Sequence, residues 1–309
     1  MHDARFSRFS RFLSTTVAVV MGISLFSAWL TSQTADKPTL QVAFLNYTEP
    51  ENNRLGEFYY ALGSQLAVRG QVALAEGLLE KATVLRPRHA ESFLNYGVVL
   101  ESLDKKFQAI EAYKAAVSIN PTQTEAHYHL GLMLDRTGET EDGIKHLLIA
   151  YYQDPKNPYI NYDLGVLYAK TNDFNHSALY SKNAVLADKT FAEAYNNYGY
   201  ALAQLGQYLE AVAAIDESLK LKPDSAATLD SKGYALMGMR KIDDALSLFN
   251  QALEQDPTIG EIYLHKGQAL EQAQKTEESI QAYEKYLLLT PNALDRKQVE
   301  DRLVILKSK

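Results

Sequence analysis

From residue 56 onward, apolar side chains fall in two separate helical stripes, and the whole arrangement recurs every 34 residues. Leu66, Leu100, Leu134, Tyr168, Leu202, Leu236 and Leu270 hold one slot, while Leu79, Tyr113, Leu147, Ser181, Ile215, Phe249 and Tyr283 hold another. One long helix explains this poorly. Glycine stands three residues before each member of the first set, at Gly63, Gly97, Gly131, Gly165, Gly199, Gly233 and Gly267. A glycine in a helix interior costs about 1 kcal/mol relative to alanine. Twelve residues beyond each glycine comes a small side chain: Ala75, Ala109, Gly143, Ser177, Ala211, Ala245 and Ser279. Proline closes most units, at Pro87, Pro121, Pro155, Pro223, Pro257 and Pro291, with Lys189 in its place once. The spacing predicts two short antiparallel helices per unit, pressed together where glycine meets the small residue and stopped by proline. In "NNYGYALAQLGQYLEAV", from Asn196, Gly199 is then the contact and Gly206 the turn. No single pair can bury its apolar face alone, so stacked neighbours must share one core.

These residues resemble the tetratricopeptide repeat family. Residues 192–225 carry its pattern nearly throughout, in Tyr195, Gly199, Leu202, Gly206, Tyr208, Ala211, Ala214, Leu219 and Pro223. The resemblance covers 56–293 as seven contiguous repeats and implies an all-α, right-handed superhelical solenoid of seven helix pairs. Residues 294–309, with Val299, Leu303 and Leu306 at amphipathic spacing, read as a C-terminal capping helix, and 36–55 as a linker or N-terminal extension. The fourth repeat departs furthest from the pattern: Asn161 replaces the aromatic, Ser181 the bulky apolar residue, and Lys189 the proline. A repeat held by its neighbours and a local hinge both fit that departure.

The first 35 residues differ in kind. Three arginines, Arg5, Arg8 and Arg11, precede an apolar run from Phe12 to Leu30, long enough as a helix to span a bilayer. The arginines favour the cytoplasmic side, which would send the repeats out of the cytoplasm. The segment reads as a retained membrane anchor. A cleaved signal peptide, leaving a secreted or periplasmic chain, is the alternative, although small-x-small cleavage sites are poor here. The net charge of −7 argues against nonspecific nucleic-acid binding and permits a partner with basic character. The chain has no cysteine, so disulfides and thiolate chemistry are excluded.

The resemblance implies binding on the inner surface, lined mainly by the first helix of each repeat at positions 2, 5, 9, 12 and 13. Those positions supply Tyr60, Glu91, Glu125, Tyr128, Asp135, Tyr159, Tyr162, Asn196, Tyr200, Gln204, Asp230, Tyr234, Glu261 and Gln268 as the expected peptide-binding set. Acidic residues outnumber basic ones there, and tyrosine offers contact area with a polar tip; inter-repeat packing is the competing role for the tyrosines. The family's lysine, asparagine and arginine clamp for a C-terminal carboxylate is not reproduced, because Tyr60, Leu94 and Tyr128 occupy matching positions. No catalytic, metal or cofactor site is expected. "HYH" at His127 and His129 points its two rings apart on a helix, with His127 in the aromatic core slot, and no phosphate-loop or nucleophile-elbow motif occurs. The function expected is that of an extracytoplasmic, membrane-tethered adaptor holding protein segments in its groove and supporting complex assembly. A self-assembling structural scaffold is the alternative, with an enzyme-associated subunit as a third class.

Overall fold

The computed structural model describes residues 49–308. The apolar run 12–30 and most of the expected linker lie outside the described residues. Among the described residues no helix is long and apolar enough to cross a membrane. All regular structure among the described residues is helical. The chain divides into two compact units, residues 1–133 and 134–309.

The first unit contains α1 (Glu49–Val68), α2 (Val72–Leu85), α3 (Ala90–Ser102), α4 (Lys106–Ile119) and most of α5 (Thr124–Arg136), within which the division falls. The second contains α6 (Thr140–Gln153), α7 (Pro158–Lys170), α8 (Phe174–Ala187), α9 (Ala192–Gln204), α10 (Tyr208–Leu221), α11 (Ala226–Gly238), α12 (Ile242–Gln255), α13 (Gly260–Gln272), α14 (Thr276–Leu289) and α15 (Arg296–Lys307). Six of the repeats are packed pairs: α1 packs on α2, α3 on α4, α7 on α8, α9 on α10, α11 on α12 and α13 on α14. In the second unit the first helices also touch in succession, α7 with α9, α9 with α11, and α11 with α13. The paired-helix architecture expected from the repeats is therefore present in both units. One boundary differs: α1 begins at Glu49, so part of the expected linker is helix. Pro50 does not prevent this, because a first-turn residue has no helical partner for its N–H to lose.

The tight contact works as the spacing requires. A Cβ on Gly97 would come 2.5 Å from the Tyr113 ring. One on Gly199 would come 2.4 Å from Ile215 Cγ1 and 2.9 Å from the Ala211 carbonyl oxygen, which cannot swing away. The small residues facing these glycines, such as Ala75, Ala109, Ala211 and Ala245, have no exposed surface. In the fourth repeat, the end of α8 needs no proline. Asp188 Oδ1 accepts from the Thr190 backbone N–H at 2.8 Å and from its hydroxyl at 2.7 Å, and this local turn competes with further helix.

The turn joining the two helices of a pair carries a regularity that composition hides. At the same place in all seven repeats the backbone is left-handed: Gly70, Asp104, Gly138, Asn172, Gly206, Arg240 and Gln274 have φ of 76°, 55°, 94°, 60°, 76°, 62° and 61°. Glycine, asparagine and aspartate tolerate this conformation; arginine and glutamine bear a steric cost of roughly 1 kcal/mol. Gln274→Gly is accordingly expected to raise unfolding stability by several tenths of a kcal/mol, up to about 1. Gly206→Gln should lower it by a similar amount. Urea melts of the two variants beside the parent would show the opposite signs.

Candidate functional site

In the first unit the expected contact residues divide into exposed acids and packed aromatics. Glu91 and Glu125 are exposed, although Glu91 lies 3.4 Å from His89 Nε2. Tyr60 is half-buried with its ring edge-on to His89 at 5.0 Å. Burial, then the Glu91 charge, pushes its phenol above the ordinary range, against hydrogen bonding from Asn95 and the pull of Arg86. Asn95 Nδ2 donates to Ser64 Oγ at 2.8 Å. Tyr128 sets its ring edge-on to His129 at 5.5 Å.

Beside them lies an arrangement not anticipated from the sequence. The buried Tyr113 hydroxyl donates to Glu101 Oε2 at 3.0 Å, and His129 Nδ1 sits 3.3 Å from the same oxygen while its ring stacks on Tyr113 at 5.4 Å. At the far end of the chain, Tyr283 donates to Glu271 Oε2 at 3.2 Å, and Arg302 of α15 donates to that oxygen at 2.9 Å. A phenol buried between helices needs an acceptor. A carboxylate serves if a base from the next element balances it. The signal was legible in principle: glutamate occupies repeat position 12 only in the two repeats with tyrosine at position 24.

In the second unit the expected residues separate further. Asp135 is not a free acid: Lys170 Nζ lies 2.6 Å away and the Thr140 hydroxyl donates to it at 2.8 Å. Tyr159 and Tyr162 pack around the buried Phe191, at ring distances of 5.6 and 4.7 Å, in a cluster with Ala184, Val185 and Ala194. Their rings thus pack against the end of their own repeat, in a cluster that reaches Ala194 of the next, which is a packing role. Asn196 is half-buried, and its Oδ1 is a buried acceptor with no partner among the described residues. Gln268 is half-buried and Glu261 exposed.

Repeats five to seven bring the rest of the set together. Tyr200 and Tyr234, one repeat apart, have ring centroids 6.2 Å apart. Tyr234 donates to Gln204 Oε1 at 3.3 Å, and its ring lies 4.9 Å from that of His265. His265 Nδ1 faces both Asp230 oxygens, at 3.0 and 2.9 Å. Burial works against a charge on His265, but the attraction and hydrogen bond of Asp230, aided by Glu261, hold its pKa above the ordinary value. Burial raises the Tyr200 phenol, the Gln204 hydrogen bond opposes this, and the negative surroundings of Tyr234, Asp230 and Glu261 raise it further. The result is a strip of neutral phenols edged by carboxylates, suited to contact rather than to proton transfer.

Both histidines of "HYH" have partners of their own. His127 is 5% exposed, with Nε2 placed 3.0 Å from the Pro121 carbonyl oxygen, while His129 belongs to the Glu101 cluster. Among the described residues no group of three histidine, aspartate or glutamate side chains could hold a metal ion.

Comparison with known proteins agrees with this construction. One tetratricopeptide repeat profile matches residues 60–124, 107–158 and 231–293, together more than half the chain, and a second matches 192–225. The chain belongs to the tetratricopeptide repeat family. The matched residues skip 159–191, most of the fourth repeat, where the pattern is most altered. No curated protein matches the sequence. Among solved structures, a tetratricopeptide repeat protein from Parabacteroides merdae is similar over 83% of this chain and all of its own, with 14% identity and a TM-score of 0.61. YrrB, described as having an unusual peptide-binding site, is similar over 60% of this chain and 96% of its own, with 20% identity and a TM-score of 0.54. Pseudomonas aeruginosa pilF is similar over 69% of this chain and 97% of its own, at 14% identity and a TM-score of 0.53. At such identities the likeness is one of fold. As a member of that family, this protein is an interaction scaffold or adaptor.

Two measurements test the electrostatic reading. Glu101→Ala, which leaves the Tyr113 hydroxyl without its acceptor, is expected to cost about 1–3 kcal/mol. Adding Tyr113→Phe should recover part of that loss, giving a coupling above roughly 0.5 kcal/mol in a double-mutant cycle. The second concerns pH. Because its folded pKa is raised, the stability contributed by His265 is fully present below the ordinary histidine value and is lost as pH rises through the raised one. His265→Gln should therefore cost more stability at pH 5.5 than at pH 8.5 in urea melts. His89 and His127, whose pKa values burial lowers, contribute with the opposite sign.

Proposed function

We propose that this tetratricopeptide repeat protein is an adaptor that holds an extended or helical protein segment with basic character against the first-helix face of repeats five to seven. One observation carries the reading: Tyr200 and Tyr234 meet on that face beside Gln204, with Asp230 held by His265 and the exposed Glu261 at the edge, so that ring area is bordered by one open carboxylate. Tyrosine rings offer contact area with little side-chain entropy to lose, and the carboxylate at the edge favours a cationic partner and its rate of encounter. The YrrB description supports peptide recognition on such a fold without assigning its ligand to this chain.

We further propose that residues 12–30 tether the protein to a membrane, with the repeats on the extracytoplasmic side, where the adaptor supports assembly of a membrane-associated complex. The support is the sequence itself, an arginine-flanked apolar run followed by a polar, folded array. A photocrosslinking residue at Tyr200 is expected to capture a partner segment, and the same residue at the outward-facing Leu209 should not. Labelling through Leu209 alone would overturn the groove reading. In intact cells, or in spheroplasts if the cell has a wall, the repeats should be degraded by added protease while the N-terminal arginines stay protected; repeats released only on lysis would overturn the location.

A further inference from the structure

First helices lie against the second helix of the preceding repeat: α3 on α2, α7 on α6, α9 on α8, α11 on α10 and α13 on α12. Two repeat positions carry much of that joint. At position 3, Ala194 clusters with Ala184 and Val185 of α8; at position 10, Val99 clusters with Ala75 and Leu79 of α2. In repeats two to seven, position 3 is Ser92, Ala126, Ile160, Ala194, Thr228 and Ile262, none more than 3% exposed. Position 10 of the same repeats, from Val99 to Ala269, is never more than 2% exposed. Among the described residues α1 has no second helix before it. There position 3 is Phe58, 38% exposed, and position 10 is Gln65, which is exposed as well.

Along this side of α1, at spacings of three and four, stand Leu55, Phe58, Leu62, Gln65 and Arg69. The row is apolar over two turns only. Leu55 and Leu62 are half-buried, whereas Gln65 and Arg69 face water. That division bears on what covers it. The second helix of another copy, stacked end to end, would meet positions 3 and 10 alike and set its apolar side chains on Gln65. A short apolar segment needs only the two upper turns, and one lies next to them in the chain. Residues 40–47, LQVAFLNY, carry six apolar side chains in eight and no charge, while residues 31–39 and 48–54 are largely polar. Left in water, such a stretch is a site of unwanted association.

Reach and local concentration favour the same occupant. The segment joins α1 at its first turn, and Phe58 and Leu62 lie about 14 and 20 Å along the helix from Glu49. Eight extended residues cover about 26 Å, enough to turn back along the row as far as Leu62. Attachment gives the segment an effective concentration in the millimolar range, well above that of a second copy or a separate partner. We propose that residues 40–47 fold back and dock on Leu55, Phe58 and Leu62 of α1. They take the place that a preceding second helix holds in the later repeats, so the array begins with a cap drawn from its own chain. One consequence rests on the membrane reading above. With residues 12–30 in a bilayer, only residues 31–39 then separate it from the array, about 30 Å at full extension instead of about 60 Å.

The chain has no cysteine, so introduced pairs report without background. In the full chain, inside the expressing cells, a short membrane-permeant bismaleimide should join Ala43→Cys to Gln65→Cys in a monomer-sized product. Ala43→Cys paired with Leu74→Cys, near the start of α2 and 63% exposed, should give none. Adding Phe44→Asp, or separately Phe58→Asp, should lower the Gln65 product about fivefold or more. Circular dichroism of the purified variants would show that the helices remain. Phe44→Asp alters no residue of the helix pairs, so it carries the test if Phe58→Asp unfolds the first repeat. No product, equal product with Gln65 and Leu74, or a yield indifferent to Phe44→Asp would overturn the proposal. So would a dimer-sized product, which would give this face to a second copy of the chain. The reagent crosses membranes, so the result is independent of where residues 12–30 lie, and failure of the membrane reading would leave it standing.

Discussion

Everything on the surface of this protein depends on how closely two helices can lie at one glycine in each repeat. The side chain that crosses above it, Tyr113 over Gly97 or Ile215 over Gly199, occupies the space where a Cβ would stand. That contact sets the rotation of each helix about its own axis. Once the rotations are set, positions 2, 5 and 9 of the first helix and positions 18, 22, 25 and 29 of the second must lie outside the pair. The fourth repeat shows how far the rule bends. Gly165 faces the small Ser181 and the Ser177 carbonyl, and the missing bulk is offset one position away, where the Tyr168 and Tyr180 rings stack. The price is two buried serine hydroxyls, of Ser177 and Ser181, without partners among the described residues, a cost its neighbours must support.

Charges follow packing here rather than direct it. Tyrosine at the crossing position brings a hydroxyl into the core, the hydroxyl calls for a carboxylate, and the carboxylate calls for a base. In the first unit the base is His129 of the following repeat. At the C-terminal end it is Arg302, so α15 supplies by a different residue what the first helix of another repeat would supply. Val299, Leu303 and Leu306 are buried against Tyr283 and Tyr286 in the same joint, where the Tyr286 hydroxyl also donates to Asp295. The pairing of Asp230 with His265 uses similar chemistry at the edge of the aromatic strip. Part of the acidity that the sequence places on the first-helix face is therefore neutralised within the fold, at Asp135 and Asp230. What remains open to a partner is narrower: Glu91 and Glu125 in the first unit and Glu261 in the second.

The helix pairs, their order and their core residues were readable because a strict period places each residue type in a known environment. The same period hid the left-handed turn position, since only three of its seven occupants are glycine and Arg240 or Gln274 gives no hint of it. Among the expected contact residues, side-chain type alone could not separate Tyr162, which fills the gap beside Phe191, from Tyr200, which meets Tyr234. Both are tyrosines at first-helix positions, and their roles differ because Phe191 stands where one of them points.

By itself, then, the sequence determined the repeat, the antiparallel pairing and the acidic balance, because these follow from backbone sterics and apolar periodicity within 34 residues. Only the tertiary structure decided which charges survive pairing and which aromatics are committed to the core. Those outcomes depend on side chains from different repeats arriving at the same place, at distances the spacing along one repeat does not contain.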